Sequence, residues 1–470
     1  MMLKDELREK ARKVCAIPET YKLEIEDYAE DGTRAVFIWN HPEEMDVGIW
    51  IELDENGKLV DFTKDEINPP LNAALLHVEE LKQTALQFAE SHYPGAVQEF
   101  EEEFVKKSDN QLRVSYIQKE LNLPLPFTGF YITITEYGEI VRFHYDGSAE
   151  NVVIPQHIEA EKKVRSEFLK EVKMNLKIAN LEESIYENAD NRPHLVYEPK
   201  LPFYRRRVDG LLNELSEEEE ETKVPVYVKI PKMEAGSIPE SLTELDGSMI
   251  KIREQDLDDA IGEVYRKQEA EPVISESDPS IIGFFNKRNE NTVKLKRNKE
   301  TGQLLGLYSF IERRGPLMMS EEECKEIAFQ FLSGIFPDAH LYFQLDQSQM
   351  ESDEDRVLFC FDLIHHDIPI LFGTARINID RTTGKVTHYL GADVDPDLII
   401  SINPDPAISE ETAQKFFEQV FQIEKQWSKE YKDNEESYYQ LVYSPVYPNL
   451  SGELRFIKAE NGEMVVGKQF

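Results

Sequence analysis

The feature that most constrains this chain is an internal repeat at a spacing of about 243 residues, far longer than any solenoid period and therefore the duplication of a half-chain. Ala85-Leu86-Gln87-Phe88 precedes Tyr93-Pro94-Gly95-Ala96, and Ala328-Phe329-Gln330-Phe331 precedes Phe336-Pro337-Asp338-Ala339 with the same gap. The register continues from Arg113-Val114 to Arg356-Val357, from Pro126 to Pro369, and from Phe127-Thr128-Gly129 to Leu371-Phe372-Gly373 after a small shift. A third stretch repeats too: His194 to Pro202 matches Gln440 to Pro448. Whatever the first half folds into, the second half is expected to fold into as well.

Within each half the hydrophobic period changes from helical to alternating. Val78, Leu81, Ala85 and Phe88 fall on one helix face, as do Cys324, Ala328, Phe331 and Ile335, and Ser320 with Glu323 reads as a capping box. Pro94 and Pro337 stop these helices. Ala160, Val164, Phe168 and Val172 predict a further helix, matched by Ala413, Phe416 and Val420. Tyr131 to Thr135 and Arg376 to Asp380 alternate as half-buried strands, and glycines at 57, 138, 302, 384 and 462 mark hairpin turns.

The fold class expected is therefore α+β, in tandem duplicated modules that each pack a helix on an antiparallel β-sheet. The units fall at 1–75, 76–150 and 151–213, then at 254–316, 317–398 and 399–470. Residues 214–253 separate the halves. Five acids at Glu217 to Glu221, then Pro225, Gly236, Pro239 and Gly247, read as an acidic linker with one short strand around Val226 to Val228; a helix capped by Ser216 and Glu219 is the alternative.

Composition narrows the function classes. With 53 basic and 91 acidic residues the formal charge is -38, which disfavours nucleic acid and anionic membranes as partners. The amino-terminal residues contain no apolar stretch like a signal peptide, and no window has the apolar length of a membrane span, so a cytoplasmic location is expected. Cys15, Cys324 and Cys360 are too few and too scattered for a disulfide framework, and Cys15 and Cys324 read as thiols on helices, Cys360 as a thiol within a strand.

The succession of helix, aromatic-Pro, strand, Pro-x-x-x-Gly, alternating strand and Gly turn resembles the YcdB/YcdC repeated domain, which in style is related to PepSY-like and cystatin-like modules. Phe88, Tyr93-Pro94, Pro126, Gly129 and Gly138 carry the resemblance in the first copy, and Phe331, Phe336-Pro337, Pro369, Gly373 and Thr383-Gly384 in the second. It implies no reaction and transfers no functional residue. PepSY-like modules elsewhere serve as inhibitory or protein-binding appendages.

No catalytic constellation stands out: there is no Gly-x-Ser-x-Gly elbow and no phosphate-cradling loop, and no cofactor is called for. His365-His366-Asp367, with His388 on a nearby strand, is the most metal-like group, although adjacent strand residues face opposite ways and a plain bend is the competing reading. Asp393-Val394-Asp395-Pro396-Asp397 imitates a calcium loop but has Leu398 and Pro404 where Gly and Glu belong. Arg205-Arg206-Arg207 reads as a partner for local carboxylates such as the acidic run. The expectation is a non-enzymatic array that binds a protein or peptide on its sheets; the alternatives are a hydrolase or small-ligand enzyme with its site between the halves, and a self-associating structural protein.

Overall fold

A computed structural model of the 470-residue chain describes residues 4–29, 31–44, 47–65, 75–108, 110–211, 225–233, 242–257, 259–267, 279–311, 315–392, 395–432 and 436–468. The chain is mixed α/β, dominated by sheets with few helices, and contains two copies of one repeated unit.

The first copy is an eight-stranded antiparallel sheet in the order Lys22–Tyr28, Arg34–Asn40, Gly48–Asp54, Leu59–Lys64, Ile140–Gly147, Gly129–Thr135, Gln111–Ile117, Glu101–Ser108. The second follows the same path through Met249–Leu257, Ala260–Lys267, Thr292–Asn298, Leu304–Ser309, Lys385–Leu390, Thr374–Asp380, Arg356–Leu363 and Phe343–Asp346. Residues 1–75 and 76–150 thus build one continuous sheet. The opening strand of the second sheet, Met249–Leu257, crosses the boundary set at residue 254, and the linker's strand, Tyr227–Lys229, pairs onto Phe343–Asp346. The acidic run and the capping alternative at Ser216 lie outside the described residues.

Helix Val78–His92 buries Leu81, Ala85 and Ala89 among Val114, Ile132 and Phe143 of the sheet. Those three residues are four apart and so align along one face. Val78 is exposed and Phe88 only partly buried, which shifts the expected face by one position. In the second copy helix Glu321–Ile335 buries Cys324, Ala328 and Phe331, and its capping box is formed by Ser320 and Glu323. Both helices end just before their prolines, at His92 and Ile335. The turn glycines 57, 138, 302, 384 and 462 all have positive φ. Cys15 is not on a helix, because the first helix ends at Ala11 and the chain bends there.

The third units exchange strands. Helix Glu161–Glu171 leads to strands Lys173–Leu181 and Arg192–Lys200, and helix Glu410–Val420 to Gln422–Tyr431 and Ser437–Val446. Arg192–Lys200 then pairs with Leu454–Lys458 of the second half, while Ser437–Val446 pairs with Arg206–Arg207 of the first. Neither third unit completes its own sheet. The two helices share one core, where Phe168 stacks on Phe421 at 4.3 Å and Phe417 on Phe421 at 5.0 Å. Ala413 and Phe417 are the fully buried residues of that helix, and Phe416, expected inside, lies at the margin.

Candidate functional site: the paired proline-aromatic loops

The loop that follows the strand Gln111–Ile117 and its counterpart after Arg356–Leu363 are built alike. Each opens with a two-residue turn whose central residues are both left-handed: Leu121 and Asn122 at φ 53° and 61°, His366 and Asp367 at φ 50° and 58°. Asn, Asp and His are the residues most often found in that region, whereas Leu at the first position of the first turn is held there at a cost. The turns are closed by Lys119–Glu120 against Leu123–Pro124 and by His365 against Ile368. Pro124 and Pro369 come next, and then Phe127 and Phe372, again left-handed at φ 57° and 58° and each 67% exposed.

This geometry corrects the alignment read from sequence. Pro369 corresponds to Pro124, not Pro126, and Phe372, not Leu371, corresponds to Phe127. Thr128 stands where the second loop has Gly373; its hydroxyl donates to the Leu125 carbonyl at 2.7 Å and accepts from the Gln118 N–H at 3.1 Å. Gly129 follows at φ 83°, where a Cβ would collide with the Tyr116 carbonyl oxygen.

Each loop is anchored to the opposite half. The Trp427 indole donates to the Glu120 carbonyl at 2.9 Å and the Tyr439 hydroxyl to the Pro126 carbonyl at 3.1 Å. In the second loop the Ile178 N–H donates to the Pro369 carbonyl at 2.9 Å, and the Leu371 N–H to the Ile178 carbonyl at 2.8 Å. The loops are therefore fixed by backbone contacts at their bases while their Phe tips point outward. A left-handed Phe costs about 1–2 kcal/mol, and leaving it exposed forgoes about 2 kcal/mol of burial. The fold carries both costs twice, at the same place.

The candidate metal ligands are not brought together. His365 is buried, with Nε2 2.9 Å from the Ile402 carbonyl and its ring edge-on to His366. His388 stands on the strand Lys385–Leu390 beside Tyr308 and Thr387, and burial lowers its pKa. Among the described residues no three His, Cys, Asp or Glu side chains could jointly hold a metal ion. Asp395 caps helix Pro396–Ile400 and Asp397 accepts from the Tyr342 hydroxyl at 2.8 Å; Asp393 lies outside the described residues. Of the arginine triplet, Arg206 reaches Glu159 and Glu167, Arg207 reaches Asp209, and Arg205 reaches Ser428 and Glu430, while the acidic run lies outside the described residues.

One titratable cluster was not singled out from sequence. His144 lies between Asp61, at 2.8 Å, and Asp146, at 3.2 Å, on Tyr131, which also stacks under Arg113. The hydrogen bonds its ring nitrogens make to the carboxylates of Asp146 and Asp61 push its pKa up to about 10, which favours the imidazolium near neutrality. Two surface grooves, one beside Leu86 and Val97 and a smaller one beside Val14 and His92, lie in the first half and include neither His365 nor His366. No helix among the described residues is long and apolar enough to cross a membrane.

Comparison with known proteins fits the duplication. The profile of the "YcdB, YcdC repeated domain" matches residues 4–147 and 232–393, the spans of the two sheets. "Uncharacterized protein YcdB" of Bacillus subtilis (strain 168) is 37% identical over 98% of both chains. "Uncharacterized protein YcdC" of the same strain is 32% identical over 95% of this chain and 97% of its own. Among solved structures the Bacillus megaterium YpeB C-terminal domain aligns with 43% of this chain and 87% of its own at 14% identity and a TM-score of 0.27, too slight a likeness to carry anything over. The two profile matches and the near full-length relatives together establish that the chain belongs to the YcdB/YcdC repeated-domain family.

Proposed function

We propose that this protein is a non-enzymatic binding module that holds an extended protein or peptide segment at the Phe127 and Phe372 loops. The observation that carries the reading is the recurrence of a left-handed, exposed Phe at equivalent positions of the two copies. Strain retained at a surface is characteristic of ligand contacts, and an exposed aromatic on a rigid base is an interface anchor with little ordering cost. With a chain charge of -38, the segment that suits these loops combines an apolar side chain with basic residues. A cytoplasmic setting and a PepSY-like relationship of the helix-and-sheet units belong to the same reading.

The test is selection of a displayed random-peptide library on the intact chain, followed by binding of the enriched peptides to a Phe127→Ala/Phe372→Ala variant. Peptides rich in Lys, Arg and apolar residues that bind the wild type and lose at least about tenfold on the variant support the function. Failure to enrich, or equal binding to both proteins, removes it.

A further inference from the structure

The two sheets differ at one end. In the second copy the last strand of the shared path, Phe343–Asp346, is covered by Tyr227–Lys229, which pairs antiparallel through Tyr227 with Asp346 and Lys229 with Gln344. In the first copy the corresponding strand, Glu101–Ser108, ends the sheet, and among the described residues no strand lies beyond it. At the far end of the same sheet, Lys22–Tyr28 is covered: the Glu26 N–H donates to the Pro279 carbonyl and the Ile281 N–H to Asp27, both at 3.0 Å. Among the described residues Glu101–Ser108 is thus the uncovered edge at a sheet position where the second copy receives an antiparallel strand.

The sequence of that edge identifies what it receives. Glu101, Glu102 and Glu103 occupy one end, Lys106 and Lys107 the other, with Phe104 and Val105 between; all but Val105 are exposed. Charges on an edge ordinarily discourage pairing, but here the signs are segregated, so an antiparallel copy of the same strand meets opposite charge at both ends. A bulge at Glu103, between Glu102 and Phe104 in the pairing with Gln111–Ile117, sets which residues share a face. Glu102 and Lys107 lie opposite Tyr116 and Leu112 on the core side, while Phe104 and Lys106 lie opposite Ser115 and Arg113 on the other. A twofold axis through Val105 then places Glu102 opposite the partner's Lys107 and Phe104 opposite the partner's Lys106, with the bulged Glu103 beside that pair and matching faces throughout.

We propose that this edge pairs with the same strand of a second copy, making a symmetric dimer in which the two first sheets run on as one. A groove of about 820 Å³ flanks the edge on its helix side, lined by Leu86 and Val97 and by Lys82, which is ion-paired to Glu102 at 2.5 Å; in the dimer the two grooves meet across the axis. The overall charge of each copy opposes association, yet it is screened over a Debye length of about 8 Å at physiological salt, leaving the close strand-to-strand pairs to set the register. The inference is independent of the peptide-binding function, since the Phe loops take no part in it.

The experiment is light scattering of the intact chain over a dilution series at physiological salt, for the wild type, for Lys106→Glu/Lys107→Glu and for Glu102→Lys/Glu103→Lys, with circular dichroism to verify the fold of each. The wild type is expected to show twice the single-chain mass at high concentration. Each charge variant should dissociate at least about tenfold more readily, because like charges then face each other across the axis, and an equimolar mixture of the two should recover the doubled mass. A constant single-chain mass for the wild type, or variants that associate like the wild type, or a mixture that stays monomeric, overturns the proposal.

Discussion

Phe127 and Phe372 occupy the same place in the two copies, with φ of 57° and 58° and 67% of each residue in solvent. Neither contributes to a hydrophobic core, and the residues that position them are anchored to the other half through Trp427, Tyr439 and Ile178. The exchange of strands between the third units therefore holds the two loops in a fixed relationship, and from that relationship several outcomes can be stated.

Removing the two rings should leave stability nearly untouched. Phe127→Ala and Phe372→Ala, singly or together, are expected to stay within about 1 kcal/mol of the wild type in urea unfolding, since little burial is lost. A loss of about 3 kcal/mol or more would assign the rings to packing instead.

His144 should titrate far from the ordinary imidazole range. Its folded pKa, pushed up to about 10 by Asp146 and Asp61, lies above the ordinary value of 6.5. The stabilisation from its charged form is therefore complete below about pH 6.5 and fades as the pH rises through about 10. An NMR titration of the ring checks this: a midpoint near 6.5 contradicts it, and Asp146→Asn should shift the midpoint downward.

The thiols should be slow to react. Burial pushes Cys15 and Cys360 up to about 11 and also raises Cys324. In the native protein at pH 8 a disulfide reagent is expected to label them far more slowly than a free thiol, and unfolding should release all three. Fast labelling of Cys360 without unfolding would contradict the buried strand position.

Two glycines separate steric from conformational cost. Gly95, at φ 93° with open space around it, should lose about 1–2 kcal/mol on replacement by Ala. Gly129, at φ 83° and against the Tyr116 carbonyl, should lose at least about 3 kcal/mol, because the backbone itself must move. Equal losses in thermal unfolding would show that the close approach carries no weight.

Local signals were legible in the sequence because they are local. The capping box at Ser320, the stops at Pro94 and Pro337 and the turn glycines each follow from a few residues, and the duplication is visible because both copies retain them. Strand exchange was not legible: Arg206–Arg207 is two residues long and has no period to read, and which long strand it joins is decided across the whole chain. The two copies run out of step by two residues because the second copy is longer ahead of Arg356, which is the structural counterpart of Gln111, so Pro126 rather than Pro124 falls at the spacing set by Phe88 and Phe331. The exposure of Phe127 and Phe372 had a signal of its own. An aromatic between a proline and a glycine in a tight turn has little chance to reach the core, yet both residues enter the sequence reading only as points of the repeat register.

The most direct measurement is photo-crosslinking from the loops themselves. A benzoyl-phenylalanine analogue placed at 127 or at 372 in the intact chain, with one at Phe285 as a comparably exposed control at 55%, is irradiated in extract of source cells. A common adduct from positions 127 and 372 that is missing from 285 is the expected result. Adducts no stronger at the two loops than at Phe285 would contradict the claim that the paired Phe loops are where this protein binds.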